Sequence, residues 1–208
     1  MNETELIKAM HSDFKSQHVG SFWRKIHGDQ FMAGMPDVIA ALPDVAALTE
    51  FKWCKEDKWL MMSFRDMVKH ELTGLQAAEL TLLSVLSETC PLRARVLIGF
   101  PVETDSANYE MACGFDMDDL SKYSTFSACD LASVAVAARE EDDDTVVPKD
   151  RWRWDPKLFP LGSPPGMEFQ LRKTPSSEHW RAGALVLGMR RYKVFDVRTK
   201  IDMDIDYD

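Results

Sequence analysis

Ala33-Gly34-Met35-Pro36-Asp37-Val38-Ile39-Ala40-Ala41-Leu42-Pro43-Asp44-Val45-Ala46-Ala47-Leu48-Thr49-Glu50-Phe51-Lys52-Trp53 is the stretch that decides how this chain folds. Two apolar runs, Val38 to Leu42 and Val45 to Trp53, flank the turn pair Pro43-Asp44, which is the signature of a β-hairpin. A turn holding Gly34 and Pro36 feeds the first run and leaves Asp37 at its mouth. On the second run Glu50 and Lys52 stand two residues apart, so a strand directs both to one face. The hairpin therefore gathers an aspartate, a glutamate and a lysine, with the backbone carbonyl of Phe51 between the last two.

Working outward, Leu6, Ile7, Met10 and Phe14 recur every three to four residues and predict a helix over 3–16, with Glu3 on the same face one turn earlier. Phe22 to His27 predicts a short strand ended by Gly28-Asp29. Residues 54–72 are polar and mixed, and predict an added helix or flap. Thr73-Gly74 opens a helix from Leu75 to Ser87, whose buried side is expected to carry Leu75, Ala78, Leu82, Val85 and Leu86; Pro91 follows its end. Arg93 to Phe100 reads as a buried strand. The order α-β-β-β-α-β predicts an α/β fold, a small mixed sheet flanked by helices.

The second half is less periodic. Met117 to Ala138 predicts one or two helices, and Glu140 to Asp144 a solvated acidic loop. Trp152 to Gly166, rich in proline and aromatic residues, predicts an ordered irregular connection. Ala182 to Met189 and Tyr192 to Val197 read as strands, and residues 201–208 alternate with period two. The expected organisation is a core over 1–105 with an insertion at 53–72, and an acidic C-terminal extension over 106–208 packed on that core.

Composition sets limits on function. With 45% hydrophobic and 28% charged residues the chain is globular, not disordered. It has no run approaching the roughly 18 apolar residues of a membrane helix, and its opening Met-Asn-Glu-Thr-Glu lacks a secretory pattern. A cytoplasmic protein is expected, with Cys54, Cys90, Cys113 and Cys129 as reduced thiols, since they form no zinc-like pair. The net charge of −9 is unevenly spread. Residues 1–100 carry 11 Lys and Arg against 13 Asp and Glu, while residues 101–208 carry 14 against 21. The acidic excess thus belongs mainly to the second half.

The hairpin carboxylates and lysine point to metal-assisted phosphodiester hydrolysis. A metal polarises the phosphoryl oxygen and lowers the pKa of the attacking water. Hard ions such as Mg²⁺ take oxygen ligands and keep several waters, so two or three carboxylates suffice. A lysine beside them orients the water or stabilises developing negative charge. Pro-Asp and Glu-x-Lys are each common, so their context carries the weight.

Lys25-Ile26-His27, Ala33-Gly34-Met35-Pro36-Asp37, Thr49-Glu50-Phe51-Lys52 and Leu72-Thr73-Gly74-Leu75-Gln76 together resemble the virus-type replication-repair nuclease (VRR-NUC) domain of the PD-(D/E)XK superfamily, which is similar to phage Holliday-junction resolvases. The resemblance covers residues 3 to about 100. It implies the αβββαβ core of that superfamily and a DNA nuclease that uses Mg²⁺ or Mn²⁺. It further implies Glu3, Asp37, Glu50 and the Phe51 carbonyl as metal ligands, Lys52 as catalytic lysine and Gln76 as a supporting active-site residue. The implied setting is phage or mobile-element DNA recombination, repair or processing, with a homodimer compatible with paired cuts. Two departures stand out. Lys52 and Gln76 are 24 residues apart, about twice the family's usual spacing, and the second half is acidic.

Several residues keep two readings. Lys25, His27, Lys55 and Lys58 are DNA contacts or ordinary surface residues, as are Arg65, Lys69 and His70. Trp152 and Trp154 interleave with Arg151 and Arg153, as in single-strand binding or in a half-buried strand. Arg190, Arg191 and Lys193 are further phosphate-contact candidates. The alternating tail is a protected sheet edge or an acidic binding segment. The rival functional class is a non-catalytic interaction protein or DNA mimic that binds a basic partner through the acidic half.

Overall fold

The computed structural model describes residues 1–26, 34–87, 92–104, 107–142, 167–175, 178–189, 194–196 and 201–203. The chain opens with α1 (Glu3–Gln17), set off by Asn2. The Asn2 side chain accepts the Glu5 amide hydrogen while the Glu5 carboxylate accepts that of Asn2, a reciprocal cap that fixes where the helix begins. Strands β1 (Phe22–Lys25), β2 (Val38–Leu42) and β3 (Val45–Trp53) follow as an antiparallel meander, with Leu42 opposite Val45 across the expected turn. The insertion then forms α2 (Asp57–Leu60) and α3 (Phe64–Glu71). Helix α4 (Gly74–Ser87) crosses over to β4 (Leu92–Glu103), which pairs with β3 in parallel.

Past residue 105 the sheet simply continues. Strand β5 (Asn108–Asp116) pairs with β4 and β6 (Met167–Thr174) pairs with β5, both antiparallel. The result is one six-stranded, mostly antiparallel sheet in the order β1-β2-β3-β4-β5-β6. A division at 105 therefore falls between two paired strands of a single sheet. A 3-10 helix (Met117–Tyr123) and α5 (Ala128–Asp142) connect β5 to β6, in the region expected to be helical, and α5 reaches into the acidic run expected as a loop. A small hairpin of β7 (Val194–Asp196) and β8 (Ile201–Met203) lies near the end. Residues 204–208 of the alternating tail and the whole of 152–166 lie outside the described residues.

Ala182 to Leu187, expected as part of a strand, is helix α6 (Ala182–Leu187). Almost every residue in it is buried, so it has no polar face to set a period, and a short apolar run does not distinguish strand from helix. Gly188 closes it in the left-handed conformation, with its N–H donated to the Ala184 carbonyl. Helix α6 lies hard against β5: a Cβ on Gly114 would sit 2.1 Å from the Leu185 carbonyl oxygen.

Helices cover both faces. One core unites α1, α6 and the Val38, Ala40, Phe51, Leu97 and Ala112 side of the sheet, with Trp180 fully buried in it. The other unites the insertion, the 3-10 helix and α5 over Val96, Ile98, Phe100, Met111 and Cys113. Phe64, Met67 and Val68 of α3 are completely buried there, so the insertion is part of the core as well as of the surface.

Helix α4 corrects one expectation. Leu75, Leu82, Val85 and Leu86 are about half exposed, and Leu80 is its fully buried residue. With Glu79 as its one charged residue, the helix is apolar nearly all round and periodicity cannot choose its buried side. The rotation that occurs turns Gln76 and Leu80 inward.

Two polar ties hold the C-terminal elements to the core. Arg95, fully buried, donates to Asp116 at 2.6 Å, to Glu168 at 2.5 Å and to the Leu185 carbonyl at 3.2 Å. Asp13 of α1 accepts the Trp180 amide hydrogen at 2.6 Å and pairs with His179 Nδ1 at 2.8 Å.

Candidate active site

The hairpin places Asp37, Glu50 and Lys52 together where β2 begins and β3 ends. Asp37 bonds to the chain on both sides: its carbonyl accepts the amide hydrogen of Ile26, just past β1, at 2.7 Å, and its side-chain Oδ2 accepts that of Phe51 in β3 at 2.8 Å. The second bond pins the carboxylate against the backbone between Glu50 and Lys52. Gly34, at φ +89°, makes the turn that delivers Asp37, and a Cβ there would come within 2.6 Å of Leu75 on α4.

Glu50 is fully buried. Its Oε1 accepts Lys52 Nζ at 2.6 Å and also the Gln76 side-chain amide. Gln76 reaches it from the first turn of α4. There Thr73 and Gln76 cap each other: the Thr73 hydroxyl accepts the Gln76 amide hydrogen, and Gln76 Oε1 accepts the Thr73 N–H at 3.0 Å. One glutamine thus anchors the helix start and holds the glutamate. Glu50 Oε2 is buried and has no hydrogen-bond partner among the described residues.

Burial pushes the Glu50 carboxyl up to about 7; the Asp37 charge adds to the rise, and Lys52 opposes it. Glu3, at the start of α1, lies 3.8 Å from Lys52 Nζ. Its carboxyl is also raised, first by burial, against the pull of Lys52. Burial alone would lower the Lys52 ammonium, yet the Glu50, Glu3 and Asp37 carboxylates outweigh that and raise it. These carboxylates therefore favour the charged form of Lys52.

The structure brings Glu3, Asp37, Glu50, Phe51, Lys52 and Gln76 into one site, despite the 24-residue gap before Gln76. The extra residues are absorbed by α2 and α3. A comparison of the sequence with models of known protein families, and with curated proteins, found no match.

Other candidates fall elsewhere. Lys25 is exposed at the end of β1, close enough to Glu3 for its charge to be felt. Lys55 and Lys58 are exposed on the insertion; Lys58 pairs with Glu56 at 2.7 Å and lies over the Trp59 ring. His27, Trp152, Trp154, Arg190, Arg191 and Lys193 lie outside the described residues. No helix among the described residues is long and apolar enough to cross a membrane.

One grouping was not singled out from the sequence. Asp116, Asp118 and Asp119 have carboxylate oxygens all within 4.8 Å of one another. Asp116-Met117-Asp118-Asp119 is visible as an acidic run, but only the turn from β5 into the 3-10 helix folds it into a cluster. Asp116 there already answers Arg95.

Proposed function

We propose that this chain is a divalent-metal-dependent nuclease of the PD-(D/E)XK type, akin to VRR-NUC domains, that hydrolyses DNA phosphodiester bonds. The observation that carries the reading is the Oε2 of the buried Glu50, which has no hydrogen-bond partner among the described residues and is set beside Asp37 and Lys52. A buried carboxylate oxygen without a donor is costly unless a cation answers it. The available donors are all oxygens, from Glu3, Asp37, Glu50 and the Phe51 carbonyl, which suits Mg²⁺ or Mn²⁺ better than a soft metal. When bound, such an ion supplies Lewis acidity at the phosphoryl group and a more acidic water.

The chain's own groups then have separate roles. Asp37 and Glu50 hold the ion, with Asp37 aimed by its bond to the Phe51 amide. Lys52, kept charged by its three carboxylate neighbours, orients the water and stabilises charge on the phosphate. Gln76 fixes the Glu50 rotamer. Glu3 completes the acidic rim and shares Lys52.

The test is cleavage of supercoiled, linear, single-stranded and branched DNA with Mg²⁺, Mn²⁺ or EDTA. Metal-dependent products from wild type, lost in Asp37→Ala and Lys52→Ala, are expected. Wild type that releases no more product than these variants on every substrate would overturn the reading.

A further inference from the structure

A groove of about 680 Å³ opens on the same face of the sheet as Glu50 and Lys52, beyond the C-terminal end of β3. Its walls come from the insertion (Lys55, Leu60, Met61), the end of β4 and the residue after it (Phe100 to Thr104) and the small-residue side of α5 (Ala132, Ser133). Its position follows from the register. Lys52 stands opposite Ile98 on β4, and Phe100 is the next residue of β4 on that face. Two residues of strand span roughly 7 Å. A stacked DNA strand rises roughly 3.4 Å per nucleotide, and more when unstacked, so the groove begins one or two nucleotides from a phosphate held at Lys52.

Resting on the nuclease reading, we propose that this groove takes an unpaired nucleobase next to the scissile phosphate, making single-stranded tails and branch points the preferred DNA. Its chemistry fits a base on each side. Leu60, Phe100 and Val102 give an apolar floor for the ring face. Met61, 70% exposed at the lip, is a flexible side chain able to close over a ring. The Ser133 hydroxyl offers an acceptor to an amino group of a base edge; it donates its own hydrogen to the Cys129 carbonyl and keeps its lone pairs free for this. Lys55, exposed three residues after Lys52, supplies a cation for the adjoining backbone phosphate. A base stacked inside a duplex cannot enter such a groove without flipping, whereas one in a tail or at a junction enters without breaking a pair. The insertion thereby acquires a role in substrate choice, since it builds one wall.

The test compares a blunt duplex with the same duplex carrying a single-stranded tail. Binding is read by fluorescence anisotropy in Ca²⁺, and cleavage in Mn²⁺. Wild type is expected to bind and cut the tailed DNA at least tenfold better. Ser133→Trp, which fills the groove from an exposed position, and Met61→Asp, which adds repulsion at its lip, are expected to bring that ratio close to one while blunt-duplex cutting persists. Retained blunt-duplex cutting also reports that each variant is folded. Equal preference in wild type and both variants overturns the groove assignment and leaves the nuclease reading standing. No metal-dependent cleavage by wild type on either DNA overturns both.

Discussion

Raising the pH of the metal-free protein from 4.5 to 8 should remove a stabilising contribution made by the Glu50 carboxyl. The Glu50 carboxyl shifts from 4.5 to about 7 on folding, because burial and the Asp37 charge both disfavour its ionised form. A carboxyl raised in the folded state favours folding when protonated. Its contribution is therefore complete below pH 4.5, is lost as the pH climbs to about 7, and changes little above that. A rise from 4.5 to about 7, at about 1.36 kcal/mol per pH unit, makes the loss roughly 3 kcal/mol. For a chain of this size that corresponds to roughly 6–12 °C in melting temperature. The assay is urea unfolding of wild type and Glu50→Gln at half-unit steps of pH without metal. Glu50→Gln stays neutral throughout, so the difference between the two curves isolates this carboxyl from every other titrating group. Saturating Mn²⁺ should remove most of the wild-type loss, since the ion answers the ionised carboxylate. Parallel wild-type and Glu50→Gln curves, with or without metal, would refute the buried-carboxylate argument.

Three substitutions probe the scaffold of the site. Gln76→Ala removes both a Glu50 donor and half of the Thr73 cap, and should cost about 1–2 kcal/mol in urea unfolding together with weaker metal affinity by calorimetry. Gly34→Ala forces a side chain onto φ +89° against Leu75, so about 1–2 kcal/mol of stability and a displaced Asp37 are expected, read as a lower cleavage rate at saturating metal. Arg95→Ala strips the cation from Asp116 and Glu168 on the face of the sheet opposite Glu50 and Lys52, and should cost about 3–5 kcal/mol in unfolding experiments with no change in metal stoichiometry while the protein remains folded.

The first hundred residues were legible because each element carried a local signal. The Pro43-Asp44 turn fixed the hairpin register, and that register put Glu50 and Lys52 on one face beside Asp37. Thr73-Gly74 was readable as a helix start, and it was the resemblance to the nuclease family that placed Gln76 in the site across a 20-residue insertion, Trp53 to Leu72; the Thr73 and Gln76 cap emerged only in the structure. Where the signals were ambiguous the reading slipped. Helix α4 is apolar on most sides, so its orientation comes from the Gln76 contact with Glu50 and not from its pattern. Helix α6 is buried all round and read as a strand. Strands β5 and β6 went unassigned; Arg95 of β4 ties to Asp116 at the end of β5 and Glu168 at the start of β6, a long-range tie that no local pattern announces. The groove beside the site had no sequence signal at all, because its walls come from three separate segments.

The most direct test of the central claim is to find where the metal goes. Mn²⁺ titration of wild type, Asp37→Asn, Glu50→Gln and Asp118→Asn, followed by electron paramagnetic resonance of the free ion, separates the hairpin site from the second acidic cluster. Wild type and Asp118→Asn should take up Mn²⁺ with the same affinity, while Asp37→Asn and Glu50→Gln lose it at least tenfold. Binding that survives in Asp37→Asn and Glu50→Gln but is lost in Asp118→Asn would contradict the account, because the ion would then belong to Asp116, Asp118 and Asp119.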